Sequence, residues 1–297
     1  MNQSSNPEQT GHKPNNFVIR TITAIVYAGV MLFCIIKGAI WFLALFALCT
    51  ILTTIEYTGL ANRYKQANVS RFLAAIAAFT FYAAIAGLAI VPATPILFLP
   101  FVFTAIVILV RELFARKPSP INDLVHSFFP VIYIALPYSL LSMLAFNVEE
   151  PDSGYNCVIP LTLFIFLWAN DVGAYCTGCT IGKHKLFERI SPKKTWEGSI
   201  GGAVLTMVAA FLLHRFLPHM YSFLPVWVWI GMALVVVVAG TLGDLIESLI
   251  KREMGIKDSG KILPGHGGML DRFDSALLAI PTTALWFVIA SAFLTNQ

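Results

Sequence analysis

Charge is what this sequence has least of. Only 12% of its 297 residues are Asp, Glu, Lys or Arg, where a soluble domain carries about 25%. A water-soluble fold is excluded, because too few polar side chains exist to cover its surface. Cysteine chemistry is equally thin. Of Cys34, Cys49, Cys157, Cys176 and Cys179, only Cys176 and Cys179 form a CxxC pair. No second pair and no suitably spaced His accompany them, so helix packing is favoured over a zinc or redox site. Internal repeats are missing. So is a small-residue cleavage site after the first apolar run, which is therefore expected to be a retained span rather than a signal peptide.

Apolar residues, by contrast, make up 57% of the chain, and they come in runs. A spanning helix needs about 20 mostly apolar residues. Nine candidate spans meet that length, at 17–36, 39–56, 71–91, 95–114, 124–147, 158–178, 198–217, 226–249 and 276–295. The expected fold is all-α and polytopic: a polar tail over 1–16, then one membrane domain over 17–297. Within it, N-terminal helices cover 17–150, and helices with longer loops cover 158–295. Nine spans place every Lys and Arg except Lys37 and Arg215 on one side, out of 20 in all. The positive-inside rule makes that side cytoplasmic, with the N-terminus inside and the C-terminus outside. Glu149, Glu150 and Asp152 then fall outside. The net charge of +4 reads first as topology and attraction to anionic headgroups. Nucleic acid is not an expected partner.

Two late cytoplasmic loops hold more than topology requires. The eighth span ends Gly240-Thr-Leu-Gly-Asp-Leu-Ile-Glu-Ser-Leu-Ile-Lys-Arg252. Asp244, Glu247 and Ser248 stack on one helical face. A charge at full membrane depth costs about 2.5–3.5 kcal/mol, so such residues usually face a polar cavity. An interfacial helix end with snorkelling charges is the simpler reading, and it suits Glu247 better than Asp244. The following loop contains Pro264, Gly265, Gly267 and Gly268, which forbid a regular helix. Glycines there let a backbone present N–H groups to an anion. Asp271, Asp274 and Ser275 then repeat the same spacing on the ninth span. Bare carboxylates about 4 Å apart repel by about 4 kcal/mol at an effective dielectric of 20, and a hard divalent cation removes that conflict. All-oxygen ligands point to Mg²⁺ rather than Zn²⁺. Lys251, Arg252 and Lys257 crowd the same region and suit a polyphosphate substrate.

A second constellation precedes it. Asp171 lies deep in Trp168-Ala-Asn-Asp-Val-Gly-Ala-Tyr175, and Ser191, Lys193, Lys194 and Thr195 lie in Ile190-Ser-Pro-Lys-Lys-Thr-Trp-Glu-Gly198. Lys193 and Lys194 together favour phosphate contact. Thr195 reads equally well as an ordinary helix start.

The stretch from Ser248 to Asp274, with its HGG-x-LDR-x-D core, resembles the signature of the phosphatidate cytidylyltransferases, also called CDP-diacylglycerol synthases, without departure over 27 positions. WAND-x-GAY and SPKKTWEG are similar to that family too. The specific resemblance covers about residues 165–275; the first five spans match only in being hydrophobic. It implies that CTP and phosphatidate, held in the bilayer, give CDP-diacylglycerol and pyrophosphate with Mg²⁺, in phospholipid biosynthesis. It further implies that Asp244 and Asp271 hold the metal, with Asp274 as a weaker candidate and a monovalent ion such as K⁺ beside it. Ser191, Lys193, Lys194, His266, Gly267, Gly268 and Arg272 become phosphate or nucleotide contacts. His266 as a proton carrier is the less favoured role. The implied place is the cell membrane, the inner one in a Gram-negative cell, with the site facing the cytoplasm. A homodimer is compatible with all of this. Two other readings stay open. A CTP-using lipid kinase of the polyprenol type would release CDP. An ion-coupled transporter would carry flux without CTP, although such proteins usually show paired broken helices.

Overall fold

A computed structural model describes residues 16–91, 94–146, 154–260, 262 and 267–295, with side chains from residue 21 onward. The polar tail over 1–15, the acidic residues 149–152 and His266 lie outside the described residues.

The helices are α1 (Asn16–Lys37), α2 (Ala39–Tyr64), α3 (Arg71–Ile90), α4 (Leu99–Phe114), α5 (Pro120–Pro130), α6 (Leu136–Ala145), α7 (Val158–Ile181), α8 (Trp196–Phe216), α9 (Pro218–Tyr221), α10 (Val226–Glu253) and α11 (Leu270–Leu294). A short 3-10 turn, Pro95–Phe98, leads into α4. Among the described residues eight helical stretches are long and apolar enough to cross a membrane, and α1 adds a shorter apolar stretch, Thr21–Lys37. The all-α, polytopic expectation holds. Several helices run past the apolar runs that announce them. The second reaches Tyr64 rather than residue 56, and the ninth begins at Leu270 rather than 276. Hydropathy marks only the hydrocarbon-crossing part, whereas the backbone ladder continues through polar residues wherever packing supports it.

The expected span 124–147 is one helical path, Pro120–Ala145, that changes pitch midway. Between α5 and α6 the turn Val131–Ala135 is a π-bulge, with Leu136 N–H donating to Val131 O. Pro137 has no N–H to give, and the wider turn absorbs the mismatch. A two-stranded antiparallel hairpin, β1 (Lys185–Phe187) and β2 (Ser191–Thr195), stands between α7 and α8. Its small size left no hydropathy signal.

Small residues set how closely the helices approach, as expected where lipid supplies no hydrophobic drive between them. On α10, a Cβ at Gly243 would lie 2.7 Å from Asp274 O of α11. On α7, a Cβ at Gly173 would lie 2.9 Å from Gly201 O of α8. The start of α11 is pinned by rings. Phe273, buried, makes aromatic contacts with Tyr27 of α1, Phe46 of α2, Tyr138 of α6 and Phe164 of α7. Fixing Phe273 fixes the direction in which its neighbours Asp271 and Asp274 project.

Gly243→Ala should therefore lower the melting temperature of the detergent-solubilised protein, by overpacking that costs about 1–3 kcal/mol. Gly29→Ala, where a Cβ meets nothing within 4 Å, should leave it unchanged or higher. Equal melting of the two variants would refute the close α10–α11 contact.

Candidate functional site

Two cavities open at the same end of α7, α10 and α11. One, of about 250 Å³, is lined by Asp171, Asp244, Asp271, Arg272, Asp274 and Ser275, with Tyr27 and Trp168 on its apolar wall. The other, of about 310 Å³, is lined by Asn170, Asp171, Cys179, Lys193, Lys194 and Thr241, among others. Asp171 faces both. Lys194 joins them from the other direction. Its Nζ sits 2.5 Å from Asp244 Oδ2 and donates to Thr241 O at 3.4 Å.

The helix-end carboxylates meet because α10 and α11 touch at Gly243. Asp244, Glu247 and Asp274 each offer an oxygen within 4.8 Å of the others. Glu247 is fully buried. Lys251 Nζ lies in ion contact with it at 2.5 Å and donates to Asp271 Oδ1 at 2.8 Å. The other Asp271 oxygen, Oδ2, accepts from Ser259 N–H at 2.8 Å and Gly268 N–H at 2.8 Å, with the Ser259 hydroxyl 2.9 Å away. Asp271 thus shares a cavity with Asp244, while Glu247 and Asp274 form the carboxylate cluster with it. The donor set is all oxygen, which fits a hard cation.

The other expected residues divide. Arg272 lines the carboxylate cavity, and its Nε is buried without a hydrogen-bond partner among the described residues. Lys193 and Lys194 line the second cavity. Ser191 stands at the start of β2 and lines neither. Arg252 and Lys257 are exposed and line neither. Thr195 is the N-cap of α8, accepting from Gly198 N–H at 3.1 Å, so its helix-start reading is the one seen here. The hairpin that carries the lysines is tied down by Glu197, which accepts from the backbone N–H groups of Lys183 and His184. Gly267 adopts φ 81°, a left-handed conformation that favours glycine. Gly268 N–H is spent on Asp271.

Sequence reasoning missed Glu56 of α2. Its carboxylate accepts from Ser259 O–H at 2.5 Å, Met269 N–H at 2.9 Å and Leu270 N–H at 3.1 Å. A signal existed, since Glu56 is an ionisable residue at the end of an apolar span, and such residues usually have a function and a partner. The identity of that partner, more than 200 positions later, had no local trace.

Lys251→Met should leave two buried carboxylates without their shared cation, at a cost of about 3–5 kcal/mol. Thermal unfolding in detergent would read this as a large drop, smaller in Lys251→Arg. Wild-type melting of Lys251→Met would show that the lysine carries no such burden.

Comparison with known sequences identifies the family. The sequence model of the cytidylyltransferase family matches residues 18–290. A phosphatidate cytidylyltransferase of Staphylococcus aureus (strain COL) is 31% identical over 271 residues, covering 89% of this chain and 96% of that protein. Proteins of the same name from Staphylococcus saprophyticus and Staphylococcus epidermidis (strain RP62A) are 31% and 30% identical, with the same coverage. The match takes in the N-terminal helices as well as the polar loops, and the chain belongs to the cytidylyltransferase family.

Proposed function

We propose that this protein transfers CMP from CTP to phosphatidate, yielding CDP-diacylglycerol and pyrophosphate. The observation that carries the reading is the pair of cavities meeting at Asp171, one lined by Lys193 and Lys194, the other by the carboxylates and Arg272. The relatives named phosphatidate cytidylyltransferase support it. A diacyl lipid is held in the bilayer by about 0.8 kcal/mol per buried CH₂, so the nucleotide must come to the membrane. Lys193 and Lys194 are suited to the phosphates of CTP, and Arg272 to the phosphate of the lipid.

In this scheme a phosphatidate oxygen forms a bond to the α-phosphorus of CTP as the bond to pyrophosphate breaks. A phosphate monoester has a second pKa of about 6, so the attacking oxygen is already anionic at neutral pH. No residue need act as a strong base. The work left to the protein is alignment and charge neutralisation. Asp244 and Asp271, with Asp274 and Glu247 beside them, would hold Mg²⁺, and a monovalent ion such as K⁺ would find further oxygen donors there. Bound Mg²⁺ would neutralise charge on the phosphates. Lys194 and Lys251 balance these carboxylates within the protein. Both cavities lie on the side rich in Lys and Arg, which the positive-inside rule makes cytoplasmic.

Asp244→Asn and Asp271→Asn should each lower pyrophosphate release by about 10²–10³-fold, while the protein still inserts. Purified variants assayed with CTP and phosphatidate check this, and wild-type rates would remove the metal assignment. Product analysis separates the alternatives. CDP-lipid and pyrophosphate in equal amounts support the transfer, CDP with a phosphorylated lipid marks a kinase, and ion flux without CTP marks a transporter. For orientation, an alkaline phosphatase fused after Gln297 should be active in a bacterial host, and one inserted after Lys257 inactive. The reverse pattern would put the cavities outside.

A further inference from the structure

Two glycines of the loop before α11 have no conformational need to be glycine. Neither Gly260 nor Gly268 has a positive φ, whereas Gly255 and Gly267 do. An L side chain would suit the backbone at both. What forbids it is Glu56. A Cβ on Gly260 would lie 2.6 Å from Glu56 Oε2. A Cβ on Gly268 would run into the same carboxylate, and its three nearest atoms all belong to Glu56. The loop is thus moulded around a side chain from α2.

The bonding is as specific as the shape. Glu56 Oε1 accepts from Ser259 O–H and Leu270 N–H, and Oε2 from Met269 N–H. Met269 is the N-cap of α11 and Leu270 its first residue, where N–H groups have no partner within the helix and the macrodipole favours a negative charge. Ser259 then donates onward to Asp271 through its N–H, while its single O–H proton faces Glu56 at 2.5 Å and the Asp271 carboxylate at 2.9 Å. One carboxylate from the N-terminal helices therefore holds the helix start, the serine and the shape of the glycine turn from which Asp271 and Arg272 project.

We propose that Glu56 is a positioning residue for the transfer reaction, acting through Ser259, Gly268, Met269 and Leu270 to fix Asp271 and Arg272. The proposal rests on the function given above only for its effect on activity; the loop tie itself stands apart from it. Glu56→Gln presents an amide N–H where a backbone N–H must be accepted, so one of the bonds to Met269 or Leu270 is lost.

Three measurements test this on the full-length protein in detergent. Hydrogen exchange without substrate should rise in Glu56→Gln over residues 257–271 and stay at the wild-type level in α3 and α7. In steady-state assays kcat should fall about 10–100-fold, the range for groups that orient site residues, with KM for CTP within about twofold of wild type if the nucleotide contacts are untouched. Gly268→Ala should be damaging in the wild type but nearly neutral in a Glu56→Ser background, where the obstructing carboxylate is gone. That sign of coupling is not expected of two independent structural defects. Wild-type exchange in Glu56→Gln, or additive losses in the double variant, would overturn the proposal. If Glu56→Gln fails to fold, the Gly268→Ala pair decides alone, in exchange as in activity. If exchange and coupling behave as expected but the wild-type protein makes no CDP-lipid, the function reading fails and the loop tie stands.

Discussion

A carboxylate at the edge of the hydrocarbon cannot be left to water, and it must be met by cations or donors. That constraint organises the Lys- and Arg-rich end of this protein. Glu56, Asp171, Asp244, Glu247, Asp271 and Asp274 converge there, far more acidic charge than the apolar surroundings tolerate unaided. Lys194 answers Asp244, Lys251 answers Glu247 and Asp271, and Ser259 joins Glu56 to Asp271. The excess is what makes the site suited to cations and to anionic substrates that bring cations with them.

The arrangement depends on backbone approach as much as on charge. Gly240 and Gly243 bring α10 against α11 at Ser275 and Asp274. The ring cluster on Phe273 holds α11 against α1, α2, α6 and α7. Without both, carboxylates on separate helices would not share a cavity. The N-terminal helices thus serve the site directly, through Phe46 and Glu56, and are more than a hydrophobic scaffold. Glycine-rich loops near phosphate sites usually read as cradles for the substrate. Here Gly268 spends its N–H on Asp271 and its empty Cβ position on Glu56. The anion that this turn wraps is the protein's own.

Much of the site was legible from local spacing. The repeated pattern of Asp244, Glu247 and Ser248, then Asp271, Asp274 and Ser275, showed two helix faces carrying oxygen donors. Lys193 and Lys194 were readable as cations just before a span. Each rests on helical periodicity or on a short run, which sequence displays directly. Arg252 and Lys257 looked equivalent to Lys251 by composition, yet they are exposed, whereas Lys251 is partly buried against Glu247 and Asp271. Composition does not say which face of a helix end turns inward. The hairpin escaped notice because its pairing is too short to leave a period.

By itself the sequence determined that the chain crosses the membrane many times, where the polar loops fall, and which helix faces carry oxygen donors. Those properties follow from hydropathy and nearest-neighbour spacing, and they need no knowledge of the partners across helices. Only the tertiary structure decided that Asp244 clusters with Glu247 and Asp274, that Asp171 faces two cavities, and that Glu56 holds the turn more than 200 positions away. Such pairings arise from helix packing, and each side chain involved is an ordinary residue until its partner arrives.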